Sequence, residues 1–332
     1  MSQSNVTDIS SRAEHVSAAR VTGTAFHGDW VDSIRVNRSA VERRVNTLGS
    51  RRTVKRDWQA AWLLKAIQCM DLTTLQGDDT AGKVRRLCAK ARQPVRQDIL
   101  EALGVADRGI TTGAVCVYHG LVEVAVEALR GADIPVAAVS TGFPAGLSPF
   151  STRVAEIEAS VAAGAAEIDI VITRAHVLNA DWRALYDEVK AFREACGPAH
   201  LKAIIATGQL GSISKVGKAA MVSMMAGADF VKTSTGMEAV NATLPVSLVM
   251  VRMIREFCDR TGQKVGFKPA GGISSAKVAL GYLMLMKEEL GNDWLSPELF
   301  RFGASSLLTD IERQLEHFVT GRYSAAHRHA MS

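Results

Sequence analysis

The chain has 332 residues, 47% of them hydrophobic and 22% charged, an ordinary soluble balance that leaves room for a sizeable core in one large domain or two smaller ones. The net charge of +5 is mildly basic, and much of the excess sits early (Arg35, Arg38, Arg43, Arg44, Arg51, Arg52, Lys55, Arg56) among polar residues without an aromatic stripe. That pattern reads as a solvated helical face rather than a nucleic-acid surface. The five cysteines (Cys69, Cys88, Cys116, Cys196, Cys258) are odd in number, far apart and form no C-x-x-C, which argues for reduced thiols and against a disulfide framework or a zinc site.

In chain order, "MSQSNVTDIS" has no apolar segment after a basic start, so no secretory signal is expected. No run reaches the ~18 consecutive apolar residues of a membrane span, and a cytoplasmic protein is expected. Residues 1–60 carry weak helical signals ("RSAVERRVNTLG", then "KRDWQAAWLLKAI" running into the next region) and are expected to form a helical or polar extension. From residue 67, short β-rich runs alternate with helical stretches. The expected strands are 67–73, 111–118, 135–141, 166–173, 200–207, 228–234, 264–270 and 299–305. Helical spacing falls between them, as in residues 151–165, 181–196 and 244–262, the last closed by a glycine. Consecutive parallel strands need helical crossovers, so eight such units predict a parallel (β/α)8 TIM barrel over residues 61–315. An open doubly wound sheet is the rival, but no G-x-G-x-x-G follows the first strand. Residues 316–332 are expected to be a mobile tail.

Function in such a barrel gathers at the C-terminal ends of the strands. There the sequence places Asp71, Asp169, Lys202, Lys232 and Lys268, each inside an apolar run. One buried lysine is as often a structural ion-pair partner as a reactive group. Three lysines on the fifth, sixth and seventh strands, with aspartates on the first and fourth, are hard to explain as scaffolding. The set suits Schiff-base chemistry. Desolvation and neighbouring cations favour a neutral, nucleophilic Lys232 between Lys202 and Lys268, and Asp169 could shuttle protons. The glycine turns "PAGGIS" and "GASS" follow the seventh and eighth strands, where these barrels frequently bind phosphate.

With these residues in place, the sequence resembles the 2-deoxyribose-5-phosphate aldolases from about residue 67 to about residue 323. The resemblance is carried by "MDLTTLQGDDT", "AVCVY", "EIDIV", "LKAIIATG", "ADFVKTSTG", "GFKPAGGI" and "RFGASSLL", and "ATGQL" and "TGRY" place it nearer the longer, eukaryote-like branch. It implies reversible cleavage of deoxyribose 5-phosphate to glyceraldehyde 3-phosphate and acetaldehyde without a metal or organic cofactor. It implies that Lys232 forms the Schiff base, Lys268 is the second active-site lysine and Asp169 relays protons, with Asp71 and Lys202 in support. Thr73 and Thr235 fall where the family contacts the sugar chain. Gly236, Gly271, Gly272, Gly303, Ser305 and Ser306 fall in its phosphate pocket. Cys116 matches a family cysteine near the site, although a small core residue suits it better. The partners expected are a small-molecule sugar phosphate or aldehyde and further copies of the chain, with no nucleic acid and no membrane.

The chain departs from the family's usual pattern in three places: Met237 in "TSTGM", Ser274 in "GGIS" and His119 in "CVYH". Two side chains expected to be cationic at the phosphate end are therefore replaced by Met237 and Ser274. The expectation is a relaxed phosphate requirement, unless a basic residue from another loop substitutes. An aldolase or thiolase of the same barrel group acting on another carbonyl compound, and a catalytically silent barrel, remain open alternatives. Retention of all five polar strand-end residues weighs against silence, since apolar replacements would stabilise a barrel with no chemistry to perform.

Overall fold

The computed structural model describes residues 20–329. The expectation about the first ten residues, the first 19 residues of the extension and the last three of the tail lie outside them. Eight strands form one parallel sheet: β1 (Met70–Thr73), β2 (Ala114–Tyr118), β3 (Val136–Ser140), β4 (Glu167–Val171), β5 (His200–Ile204), β6 (Phe230–Lys232), β7 (Gly266–Lys268) and β8 (Phe302–Ala304). Each lies within its expected run. Neighbours follow chain order, and β8 pairs with β1. The remaining seam closes through backbone N–H donors of Arg301 to Phe267 (3.1 Å) and of Gly303 to Pro269 (2.9 Å). Helices lie between the strands, so the molecule is a TIM barrel.

Strand alternation sorts the side chains. Leu72, Ile168, Ile170, Leu201, Ala203, Val231 and Phe267 point outward and are buried beneath the helices. Their neighbours Asp71, Glu167, Asp169, Lys202, Lys232 and Lys268 are buried too, on the opposite face, inside the barrel. Beside them inside the barrel, Cys116, Ala137, Val139, Val171 and Ile204 of β2 to β5 form an apolar cluster with Leu75 and Phe143.

The helices begin and end where local chemistry dictates. Asp181 accepts from Ala184 N–H (3.0 Å) to open Trp182–Ala195, and Gly262, at φ +71°, closes Leu244–Thr261. The helix Arg56–Gln68 consumes Ile67 and Gln68, which the sequence assigns to β1. Trp62, Leu63, Leu64, Ala66 and Ile67 in its second half are all buried, so little polar face separates helix from strand in the sequence. At the other end, the helix Ser306–Thr320 carries residues 316–320 as its last turn.

Ahead of the barrel, Val41, Val45 and Leu48 pack against Leu248, Val249 and Leu285. Arg44 and Arg51 reach Glu288 at 2.5 Å and 3.1 Å, so part of the early basic cluster docks the extension on the helix Ala276–Leu290. Among the described residues no helix is long and apolar enough to cross a membrane.

Candidate active site

The charged side chains at the strand ends form one continuous cluster. Asp169 stands at its centre: Lys232 Nζ and Lys268 Nζ each donate to its Oδ2 at 2.7 Å, and Lys202 Nζ donates to its Oδ1 at 3.1 Å. Lys268 also donates to Asp71, and Lys202 to Glu167. Arg301, ahead of β8, bridges Asp71 Oδ1 (2.6 Å) and Glu167 Oε1 (2.9 Å). All seven residues are buried. Arg301 and Glu167 were not among the expected site residues, although the same signal, a charge inside an apolar strand run, marks them both.

Four cations here face three carboxylates, so the fully charged cluster holds one positive charge too many. An uncompensated charge in a dry interior is costly, and the group that can shed a proton most readily relieves it. That group is Lys232. Burial lowers its pKa and the nearby Lys268 charge adds to the effect, against the pull of Asp169. Burial acts on Lys202 and Lys268 in the same direction, but two or more carboxylates outweigh it and both are held protonated. Burial would also raise Asp71 and Asp169, yet the surrounding cations drive both well below the usual carboxylate range. Thus Lys232 is tuned by desolvation first and Lys268 second, while Lys202 is engaged by carboxylates.

Above this cluster lies a cavity of about 540 Å³ with Lys232 in its wall. Thr73, Thr235, Gly236, Met237, Gly271, Gly272, Ser274, Gly303, Ser305 and Ser306 all line it. Asp71, Asp169, Lys202 and Lys268 do not. Cys116 sits in the apolar side of the interior, its thiol pushed up to about 11 by burial. Two glycines are required by geometry. Gly271 has φ +78°, and a Cβ there would come within 2.6 Å of the Asn241 side chain. At Gly303 a Cβ would meet that of Ala270 at 2.7 Å, where β7 and β8 converge.

The turn after β6 is organised from within. Glu238 is buried and accepts from the N–H groups of Thr235 (3.0 Å) and Gly236 (3.2 Å) and from Thr235 Oγ1 (2.8 Å). The Gly236 N–H is therefore already engaged. Met237 projects from this turn with about half of its surface exposed. Thr74, Gln76, Lys83 and Thr309 also line the cavity without having been singled out in the sequence. Lys83 sits on a helix face, where nothing local separates it from its exposed neighbours.

A β/α barrel with a lysine of lowered pKa between a carboxylate cluster and an open cavity is the frame of an aldolase. The chain belongs to the DeoC/LacD family aldolases, whose profile matches residues 65–309. It is 59% identical to deoxyribose-phosphate aldolase of Bos taurus over 317 residues, spanning 95% of this chain and 100% of that protein. The corresponding enzyme of Homo sapiens is 58% identical over the same length and coverage. Among solved structures, the tetrameric deoxyribose phosphate aldolase of Aeropyrum pernix shares the fold at a TM-score of 0.54 and 22% identity, over 87% of this chain and 100% of that one.

Proposed function

We propose that this protein cleaves 2-deoxyribose 5-phosphate reversibly to glyceraldehyde 3-phosphate and acetaldehyde, with Lys232 as the imine-forming nucleophile. The observation that carries the residue assignment is the contrast among the three lysines: Lys202 and Lys268 are bound by carboxylates that keep them charged, whereas Lys232 opens to the cavity with a lowered pKa. The similarity to the mammalian enzymes supports the substrate.

Lys232 Nζ adds to the C1 carbonyl of the open-chain sugar to give a carbinolamine, which loses water to become the imine. The C3 hydroxyl then gives up its proton, the C2–C3 bond breaks and its electrons flow into the imine as an enamine. Glyceraldehyde 3-phosphate leaves, C2 of the enamine is protonated, and hydrolysis releases acetaldehyde and Lys232. No cofactor enters these steps, because the iminium is the electron sink. A carboxylate held as far down as Asp169 is a weak base while three ammonium groups surround it. Lys232 is uncharged when it attacks the carbonyl and stays uncharged in the carbinolamine, so through these steps one of the three is gone. Asp169 then binds protons more strongly at the step where the carbinolamine oxygen must be protonated to leave. Lys268, touching the same Oδ2, is placed to pass and receive that proton.

Gly271 and Gly272 and the start of the helix at Ser305 and Ser306 supply backbone donors for the phosphate, with Thr73 and Thr235 nearer the sugar. A cytoplasmic location accords with the five free thiols. Self-association into a homo-oligomer is part of this reading and is measured directly by light scattering. The chemistry is tested by borohydride reduction in the presence of acetaldehyde. An ethyl adduct mapped to Lys232 is the expected result; an adduct on another lysine, or none, removes Lys232 from this role.

A further inference from the structure

Among the described residues that line the cavity, only two are cations, Lys232 and Lys83. Lys232 is committed to the carbonyl in the reading above. Met237 and Ser274, which face the glycine turns, carry no charge. We infer that Lys83 recognises the phosphate group of the substrate, acting from the helix Ala81–Arg92 as the cation of the cavity's outer end. This inference rests on the aldolase reading and names the residue that sets its phosphate specificity.

The alignment of two helices puts Lys83 at that end. Ala81–Arg92 and Ser306–Thr320 follow β1 and β8, which are adjacent and parallel, so the two helices run side by side in the same direction. Lys90 Nζ pairs with Glu312 Oε1 at 2.7 Å. Seven residues nearer the N-terminus of each, about 10 Å along the axes, Lys83 comes level with Ser305. Leu87 and Thr309, between these two levels, both line the cavity, as that alignment requires. Arg86, one residue away from Leu87, instead lines a different surface cavity with Gln93 and Arg96.

Lys83 is also held ready. Its Nζ pairs with Asp79 Oδ1 at 2.6 Å, and its side chain is 30% exposed. An ammonium has three N–H donors, so one contact leaves two for an incoming oxyanion. Asp79 raises the pKa of Lys83, further favouring the charged form. Should the ammonium swing toward a phosphate, the Asp79 carboxylate stays satisfied by Thr74 Oγ1 (2.7 Å) and the Gln76 N–H (2.9 Å). The exchange therefore leaves Asp79 with two hydrogen-bond donors.

The experiment compares kcat/KM for 2-deoxyribose 5-phosphate and 2-deoxyribose in the unaltered protein, Lys83→Gln, Lys83→Arg and Lys83→Gln/Met237→Lys. Lys83→Gln is expected to lower the ratio of the two by on the order of 10- to 100-fold, mainly through KM for the phosphate ester. Lys83→Arg keeps most of the ratio, and Met237→Lys restores it by returning a cation to the same end. Inorganic phosphate should raise the Tm of the unaltered protein more than that of Lys83→Gln. That arm needs no turnover, so it reads phosphate binding even if aldehyde release from both sugars is absent and the aldolase reading fails. An unchanged ratio with an unchanged phosphate effect overturns the inference. So does an equal loss with both sugars, which would mark Lys83 as structural only.

Discussion

The floor and the rim of the cavity are built on different rules. In the floor, seven charged side chains from six places in the barrel satisfy one another away from water, and Asp169 alone contacts three lysines. Changing any one of them alters the charge balance for all the others. At the rim, Lys83, Met237 and Ser274 stand on separate segments and touch solvent. A phosphate can be met by a cation from whichever segment reaches it, so the rim tolerates exchange.

Four tests press on that contrast, beginning with the largest effect. Lys232→Arg and Lys232→Ala should abolish turnover with the fold retained by circular dichroism, since a guanidinium cannot be deprotonated to attack a carbonyl. Measurable aldehyde release by either would unseat Lys232.

The second test uses the charge surplus. Arg301→Met removes the cation that bridges Asp71 and Glu167, leaves them only Lys268 and Lys202, and should cost about 3–5 kcal/mol in chemical denaturation. Lys232→Met removes the surplus cation instead, so its Tm should equal or exceed that of the unaltered protein, the pattern of an active site that trades stability for reactivity. If the two variants lose stability alike, the cluster is not organised around an excess positive charge.

Asp169→Asn and Lys268→Leu should each lower kcat by on the order of 100-fold or more. Lys268→Leu carries a sign as well. The Lys268 charge lowers the proton affinity of Lys232, so without it Lys232 stays protonated to higher pH. The acidic limb of the pH–rate profile should therefore move to higher pH. A limb that stays in place would leave desolvation as the sole tuning of Lys232.

The smallest effect belongs to the rim. Met237→Lys/Ser274→Arg should raise selectivity for the phosphate ester over the free sugar by about 10-fold, modest because Lys83 already supplies charge. A gain of several thousandfold would show instead that the unaltered rim lacks an effective cation.

Much of this molecule is legible along the chain. Alternating apolar runs of strand and helix length locate all eight strands, because whether a segment buries one face or two is written in its own periodicity. Charges embedded in those runs point to Lys202, Lys232, Lys268, Asp71 and Asp169 for the same local reason. The start of β1 misleads because the helix before it is buried so fully that its pattern has little polar phase.

What only the tertiary structure decides is which charge answers which. Arg301 meets Asp71 across 230 positions of sequence, a contact that exists because β8 closes the ring beside β1. The same closure sets the helices after those strands beside each other and places Lys83 in the lining of the cavity. The lowered proton affinity of Lys232 likewise arises from burial and from Lys268 on the next strand. Periodicity is a property of neighbours in the chain. Charge balance in a closed barrel is a property of neighbours in space.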